Sequence, residues 1–378
     1  MLEDSEPRSG RPFYVDAGPL ASRHLTGIGR YTARLALALA KRHPVHFFDG
    51  DDRIDPPATL NWSEDQDLAD WAAKVRRGRR AVLTPEPDSV GVYTCLRTRR
   101  RRFPIEASIL HDLTPLLIPE THVRRTIGDF QGFYASTLLS SDFALADSHS
   151  TRADAAWLSP FPERSIHVAH PGASLCVQGH LHPYSMARRP EVGLVVATLE
   201  PRKNAGFLLD WFAETSVLPP GAELWWVGAT GWKTSKRQLS RDRTRDGRRV
   251  RFLGFVDDQQ LCKLYKTAGW MAYPSLYEGF GFPVLDALRH GLPTLTAGNS
   301  SLREFEGPGV GFFDPLDPTS LDDAFLRLKA GRLGEPPSLQ TLDQRFSWDR
   351  LCEILNDAVA SKGARLDHQA NATDARAA

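Results

Sequence analysis

A carboxylate beside a glycine turn opens the most informative stretch of the chain, Ser275-Leu-Tyr-Glu278-Gly-Phe-Gly281-Phe-Pro283-Val-Leu-Asp286-Ala-Leu-Arg-His-Gly291-Leu-Pro293. Pro283 suits the first turn of a helix, where its missing N–H would have been unpaired anyway. Asp286 falls inside that helix, and Gly291 can end it. A helix N-terminus opened by glycines points free N–H groups and a positive dipole end outward, which makes it an anion site. One acid before the turn and one after it can hold hydroxyls on either side of a bound phosphate. That combination suggests a sugar phosphate or a nucleotide sugar.

A second cluster, Thr198-Leu-Glu200-Pro-Arg202-Lys203-Asn204, follows the first strand-like run of the second half. Two adjacent cations at a strand's carboxyl end can neutralise a diphosphate, on which charge builds as a bond to it breaks. Alone, the pair reads equally well as a solvated helix start; beside Glu278 the functional reading gains. Gly27-Ile28-Gly29-Arg-Tyr31 reads as a tight turn before an amphipathic helix, able to bring backbone close to a ligand. It lacks the third glycine of the dinucleotide fingerprint. His111-Asp112 ends a strand-like run, where a histidine either hydrogen-bonds a substrate hydroxyl or is a satisfied structural residue. Asp49-Gly-Asp51 is a triplet of the kind that holds a divalent cation on a diphosphate, but such triplets are common by chance, and no metal is assigned to it.

Those residues need a frame. Short apolar runs at Phe13–Asp16, Val45–Phe48, Ala107–Leu110 and Phe143–Ala146 end in polar residues, as strands of a parallel sheet do when the site lies at the carboxyl edge. A helix after Gly29 carries Ile28, Tyr31, Leu35 and Leu39 on one face. A polar stretch at Gln178–Pro190 reads as a linker. Strands then restart at Val192–Leu199, Glu223–Val227, Arg251–Leu253, Trp270–Tyr273 and Thr294–Thr296, with helical segments between them. The rhythm predicts two doubly wound α/β sheets. Ser347 can cap a helix that opens with Trp348 and runs through Leu351, Leu355 and Val359. The domains are expected at 12–175 and 191–345, followed by a terminal helix at 346–362. Residues 1–11 and 363–378 are polar and aperiodic and are expected to be disordered.

The 378 residues suffice for two domains, and a net charge of +1 argues for no particular partner. The four cysteines, Cys95, Cys176, Cys262 and Cys352, include no CxxC pair and read as reduced thiols of a cytoplasmic protein. The acidic N-terminus is not a secretory signal, and no run approaches the roughly 20 apolar residues of a membrane span. Arginines cluster at 76–80, 97–102 and within 236–251. The bland reading is a solvated face. The functional one, for Arg76 to Arg102, is a patch for an anionic membrane surface, which would place the protein on the inner face of the membrane. No aromatics interleave with the arginines, so nucleic acid is not an expected partner.

With these residues in hand, the chain resembles the family 4 glycosyltransferases, retaining enzymes with the GT-B fold, from about Phe13 to Ala360. The resemblance rests on Leu253-Gly-Phe-Val-Asp257, Tyr273-Pro-Ser-Leu-Tyr-Glu-Gly-Phe-Gly-Phe-Pro283, Gly291-Leu-Pro293, Asn299-Ser-Ser-Leu-Arg-Glu304 and Asp314-Pro-Leu-Asp-Pro318. The elements Glu200-Pro-Arg-Lys-Asn204 and His111-Asp-Leu-Thr-Pro115 are similar to a bacterial mannosyltransferase-like branch that builds surface polysaccharides. The resemblance implies two Rossmann-like domains facing across a cleft, the first on the acceptor side, the second on the donor side, with the terminal helix returning to the first. It implies a nucleotide diphosphate sugar, GDP-mannose by branch, as co-substrate, with no cofactor or metal, and a glycan or lipid-linked acceptor. Position by position, Lys203 matches the phosphate-binding lysine, and Arg202 supplies the second cation because Thr198 stands where the usual arginine falls. Glu278 matches the acid that contacts the transferred sugar. Asp286 matches the ribose-binding acid but is one methylene shorter. Gly281 and Phe282 match backbone donors to phosphate and sugar. His111 matches a histidine near the reacting sugar, Gly27 and Gly29 a loop facing the diphosphate, and Phe255-Val256 a segment beside the base. The shortened acid and Thr198 also fit a second class, a non-catalytic protein that kept a nucleotide-sugar fold; binding without turnover would separate the two.

Overall fold

The computed structural model describes residues 10–22, 25–63, 67–97, 100–174, 187–233 and 245–377. They fall into two units, the first built from residues up to 111, 129–174 and from 346 on, the second from 112–128 and 175–345.

The first unit holds an eight-stranded sheet: β1 (Phe13–Asp16), β2 (Val45–Asp49), β3 (Asp52–Asp55), β4 (Arg79–Val82), β5 (Val90–Tyr93), β6 (Ile105–Leu110), β7 (Phe143–Ala146) and β8 (Ile166–Val168), in the order β4-β3-β2-β1-β5-β6-β7-β8. β1 runs parallel to β2 and β5, pairing Phe13 with Val45 and with Val90. The central strands are covered on both faces, as parallel strands are; β5, β6 and β7 are buried at every position, Glu106 and Ser108 of β6 included. β3 and the edge strand β4 are antiparallel and carry charged side chains, and no apolar alternation marked them in the sequence. Helices α1 (Gly27–Ala40), α2 (Leu68–Arg76), α4 (Arg124–Leu139) from Asp129 on and α5 (His149–Leu158) belong to this unit.

The expected turn at Gly27–Gly29 is instead the first turn of α1. The Thr26 side chain caps it, accepting from the Gly29 N–H at 3.2 Å. Tyr31, Leu35 and Leu39 are buried as expected, but Ile28 is 38% exposed, because it sits in the first turn before the helix reaches its neighbours. A Cβ on Gly29 would lie 2.8 Å from the Pro19 carbonyl, so packing explains that glycine, whereas a Cβ on Gly27 would meet nothing.

The last helix of the described chain runs from Trp348 to Ala377 and packs on α1. The Tyr31 and Trp348 rings meet edge to face at 5.0 Å, Lys41 pairs with Asp349 at 2.9 Å, and Trp348 Nε1 donates to the Ala173 carbonyl. A Cβ on Gly172 would lie 2.5 Å from the Trp348 ring. The sequence after 362 was expected to be disordered; the helix continues through it, and its alanines are strong helix formers that need no periodic apolar face. Residues 1–9, and most of the expected linker at 178–190, lie outside the described residues.

The second unit holds a six-stranded parallel sheet: β9 (Arg189–Val196), β10 (Glu223–Val227), β11 (Arg249–Gly254), β12 (Ala268–Tyr273), β13 (Thr294–Ala297) and β14 (Val310–Phe313), in the order β11-β10-β9-β12-β13-β14. Between them lie α6 (Ala205–Glu214), α7 (Asp258–Thr267), α8 (Phe282–Arg289) and α9 (Pro318–Lys329). One core cluster gathers Trp211, Phe212, Trp226, Trp270 and Phe325. Gly193, in mid-β9, makes room for it: a Cβ there would lie 2.5 Å from the Trp270 ring. Residues 112–128, with the short helix α3 (Thr114–Leu117), leave β6 of the first sheet and group with this second unit.

Candidate active site

In the second sheet the strand order reverses between β9 and β12. Open α/β sheets bind ligands outside the carboxyl ends of their strands at such a point. The loop after β9 carries Arg202 and Lys203 in a 3-10 turn, and the loop after β12 carries Glu278. The two loops are bonded together: the Leu276 N–H donates to the Arg202 carbonyl at 2.9 Å. Arg202 Nη1 donates to Glu278 Oε2 at 2.6 Å and to the Tyr277 carbonyl at 3.0 Å. Lys203 Nζ donates to Glu278 Oε1 at 2.5 Å and to the Tyr273 hydroxyl at 2.9 Å. Glu200 holds Arg202 from the other side, at 3.0 Å.

Burial alone would raise the Glu278 carboxyl. The charges of Arg202 and Lys203, with the hydrogen bond from Lys203, overcome it and hold the group at about 2. Burial also works against Arg202, but Glu278, Asp112 and Glu200 leave it raised. Lys203 is lowered, by burial first and then by the charge of Arg202, although Glu278 pulls the other way. Burial raises Glu200 despite both cations. Two cations face two carboxylates here, so Arg202 and Lys203 are already balanced within the protein. They keep donors in reserve: Arg202 Nε is buried with no hydrogen-bond partner, and only two of the three Lys203 protons are used by the contacts above.

The Glu278 loop is pinned from the residues after β13. Asn299 Nδ2 donates to the Ser275 and Leu276 carbonyls, the Glu278 N–H donates to Ser300 Oγ at 3.0 Å, and Ser301 Oγ donates to the Glu278 and Phe280 carbonyls. Gly281 sits at φ 113°, and a Cβ there would lie 2.8 Å from Leu302, so this position needs glycine. α8 starts one residue later with Pro283 in its first turn. It ends at Gly291, φ 66°, where the N–H of Leu292 reaches back to the Ala287 carbonyl and that of Gly291 to Leu288. Asp286 is buried within α8. Phe255, after β11, is 58% exposed, an apolar ring at the sheet's carboxyl edge, with half-buried Val256 beside it.

In the first unit, His111 Nδ1 lies 2.7 Å from Asp147 Oδ2, and Nε2 lies 3.0 Å from the Thr94 carbonyl. A carbonyl only accepts, so Nε2 carries a proton, and the Nδ1 contact holds a further proton shared with Asp147. Asp147 is raised by burial, which His111 partly offsets. Tyr31 packs edge-on to the imidazole at 4.7 Å. Both ring nitrogens are thus engaged within the protein, so the expected hydrogen bond from His111 to a substrate hydroxyl has no unengaged nitrogen in this arrangement. Thr94 also shares a 2.6 Å hydroxyl contact with Thr32 of α1.

The Asp49-Gly-Asp51 triplet forms the β2–β3 turn, and its carboxylates face arginines: Asp49 pairs with Arg80, and Asp51 with Arg100 and Arg102. The same pairs engage part of the expected cationic patch with acids. Arg80 is shared with Asp52, Arg101 pairs with Asp142, and Arg97 is buried against Glu106 at 2.8 Å. Acids distant in sequence were invisible to a reading of the arginine run. Arg99 and residues 236–244 of the third run lie outside the described residues.

Sequence reasoning missed Tyr273, Glu200 and the clamp of Asn299, Ser300 and Ser301 as parts of the site. Tyr273 had a signal, since it ends the strand that delivers Glu278.

The fold is GT-B, as solved structures of that fold show. Across 93% of this chain and all of its own, the lipopolysaccharide outer core galactosyltransferase WaaB superposes with a TM-score of 0.55 at 14% identity. The Anabaena protein HepE in complex with UDP-glucose does so with a TM-score of 0.58 at 15% identity, over 94% of this chain and 99% of its own. In sequence, the chain is 27% identical to the O-antigen chain mannosyltransferase B of Escherichia coli, over 86% of this chain and 93% of that protein. It is 28% identical to the serotype-specific mannosyltransferase WbdA of Escherichia coli, over 71% of this chain but 34% of that protein. Residues 190–330 match the family described as glycosyl transferases group 1. The matched residues all lie in the second unit, which also holds the Arg202–Glu278 loop pair.

Proposed function

We propose that the protein transfers a hexose, with mannose favoured, from a nucleotide diphosphate sugar to a glycan or lipid-linked acceptor in polysaccharide synthesis, with retention at the anomeric carbon. The observation that carries this reading is the buried Glu278 held between Arg202 and Lys203 at the reversal point of the second sheet. The two relatives named as mannosyltransferases support the sugar.

In this reading the second unit takes the donor. Arg202 and Lys203, with the N-terminus of α8 at Gly281 and Phe282, meet the diphosphate. Glu278 accepts from hydroxyls of the sugar, Asp286 is the acid on the ribose side, and Phe255-Val256 lies beside the base. The bond from the anomeric carbon to the diphosphate breaks, and one from the acceptor oxygen forms on the same face. The acceptor proton passes to the departing phosphate oxygen. Negative charge grows on the diphosphate as this happens, and preorganised cations and N–H groups stabilise it without reorganising. They would take the place of a metal, so the reaction is proposed to be metal-independent. His111, and the α1 N-terminus at Gly27 and Gly29, belong to the acceptor-side unit, where His111 shares a proton with Asp147.

A lipid-linked acceptor would bring the protein to the cytoplasmic face of a membrane. Among the described residues no helix is long and apolar enough to cross one. Flotation with anionic liposomes tests this association, which fails if the protein stays in the soluble fraction.

The donor assignment is tested by nucleotide release across a panel of GDP- and UDP-sugars. GDP-mannose is expected to turn over fastest. Release that still depends on added Mg2+ after chelation and dialysis counts against the metal-free reading, and binding without release across a broad acceptor panel favours a non-catalytic protein.

A further inference from the structure

His122 is 6% exposed, and neither of its ring nitrogens has a hydrogen-bond partner. Leaving such a group buried and unpaired is unfavourable, so it calls for a ligand. Its position is fixed by backbone geometry. Leu199 pairs with Thr230, and the Gly231 N–H donates to the Leu199 carbonyl at 2.9 Å, which lays this segment along the loop that carries Glu200 and Arg202. The fit is tight, since a Cβ on Gly231 would lie 2.7 Å from the Leu199 carbonyl oxygen. The next residue, Trp232, donates from Nε1 to the Thr121 carbonyl at 2.8 Å, and Lys233 Nζ donates to the Glu120 carbonyl at 2.7 Å. His122 packs its ring 6.1 Å from that of Trp232. The strap 112–128 therefore delivers an unpaired imidazole beside the Arg202 loop, within the second unit.

The charge state narrows the ligand. Burial, then the charge of Arg202, lowers the His122 pKa; Asp112 and Glu120 act against this and Lys233 with it. A neutral imidazole offers one donor and one acceptor. A phosphate oxygen only accepts and an ammonium only donates, whereas a sugar hydroxyl does both.

We propose that His122 binds a sugar hydroxyl beside the Arg202–Glu278 pair, as a specificity-determining residue that sequence motifs do not reveal. The proposal rests on reading that pair as the nucleotide-sugar site. The hydroxyl belongs either to the donor hexose or to the sugar that accepts it, and kinetics separates the two.

The experiment titrates the wild type by calorimetry with GDP and GDP-mannose, and with UDP and UDP-glucose, and carries forward the pair that binds. His122→Phe keeps a flat ring against Trp232 and removes both nitrogens; His122→Leu repeats the arm without a ring, and His122→Gln restores a donor and an acceptor. H122F is expected to bind the nucleoside diphosphate within about twofold of wild type, and the nucleotide sugar about tenfold more weakly, since losing a group that pairs with a substrate hydroxyl costs on that scale. H122Q recovers part of the loss. If the hydroxyl is the acceptor's, donor binding stays put, and the KM for octyl α-mannopyranoside rises by about tenfold instead. H122F should melt at or above the wild-type temperature, because an unpaired polar ring has become apolar; a purely structural histidine would give a lower melt and unchanged sugar binding. Unchanged sugar binding and unchanged acceptor KM in both H122F and H122L overturn the role of His122 while leaving the donor site standing. A wild type that binds no nucleotide sugar overturns the donor site, and this inference with it.

Discussion

The two sheets build their carboxyl edges alike and furnish them differently. At the edge of the second sheet, charge is dense and answered in kind: Arg202 and Lys203 both close on Glu278, and Glu200 takes the other side of Arg202. At the edge of the first, charge is sparse and shared: His111 spans Asp147 and the Thr94 carbonyl, and Tyr31 packs against the ring. One edge sets cations against carboxylates; the other holds a proton between two groups. The difference also has a sequence consequence. The first cluster comes from two loops, each delivering adjacent residues. The second comes from α1 and the ends of β5, β6 and β7, one residue at a time.

The largest effect expected is at the paired edge. Glu278→Ala leaves two buried cations without their carboxylate, and Lys203→Ala removes one of them; each should lower kcat/KM by about a hundredfold or more, on the scale of losing a preorganised electrostatic group. Full activity in both variants would remove the assignment of this site.

Acid should act on the same carboxylate. Glu278 titrates at about 2 in the fold against an ordinary 4.5. A lowered carboxyl stabilises the fold above its unfolded value and loses that contribution as pH falls through the folded one. Thermal melts from pH 6 to pH 2 should therefore show a loss on the order of 3 kcal/mol below about pH 4.5. Glu278→Gln should flatten that part of the profile; a mutant curve parallel to wild type would show that other groups govern it.

Two glycines let the units be perturbed separately. Gly193→Ala pushes a methyl into the Trp270 ring, and Gly172→Ala pushes one into Trp348. Each should cost about 1–3 kcal/mol through overpacking, and each in its own unit. Calorimetry that resolves two transitions would see a different one move in each variant; the same transition moving in both would contradict the division.

The smallest effect is expected at the proton-sharing edge. Asp147→Asn removes the carboxylate that shares the proton and offers an amide that can donate to Nδ1, and should leave His111 protonated at Nε2 alone. Nitrogen NMR of the imidazole reads this directly, and kcat should fall by about tenfold. A ring with both nitrogens still protonated in the variant would mean that Asp147 does not hold the proton.

Much of the fold was legible because its parallel strands are short, mainly apolar runs: Phe13–Asp16, Phe143–Ala146 and Glu223–Val227 match β1, β7 and β10 end to end. β3 and β4 were not, since both are short and rich in charge and their pattern does not alternate. The loop around Glu278 was legible because glycine, proline and acid stand at fixed offsets along one segment. Its grip on Arg202 and Lys203 could be guessed from chemistry, but the balance of charge could not, because Glu200 was read only as a neighbour. His122 gave no signal, since its burial depends on Trp232, more than a hundred positions away.

The strap at 112–128 and the helix from Trp348 also constrain how the molecule is made. The chain changes unit at 111, 128, 174 and 345. A ribosome that has released residue 174 has delivered every strand of the first sheet but not the helix that covers α1. At about 5–20 residues per second, that helix follows roughly 10–30 seconds later. Until then Tyr31 lacks Trp348, and the strap waits for the sheet it will join. Cutting the gene between the two sheets would make that interval permanent, so the halves should be soluble together and not apart.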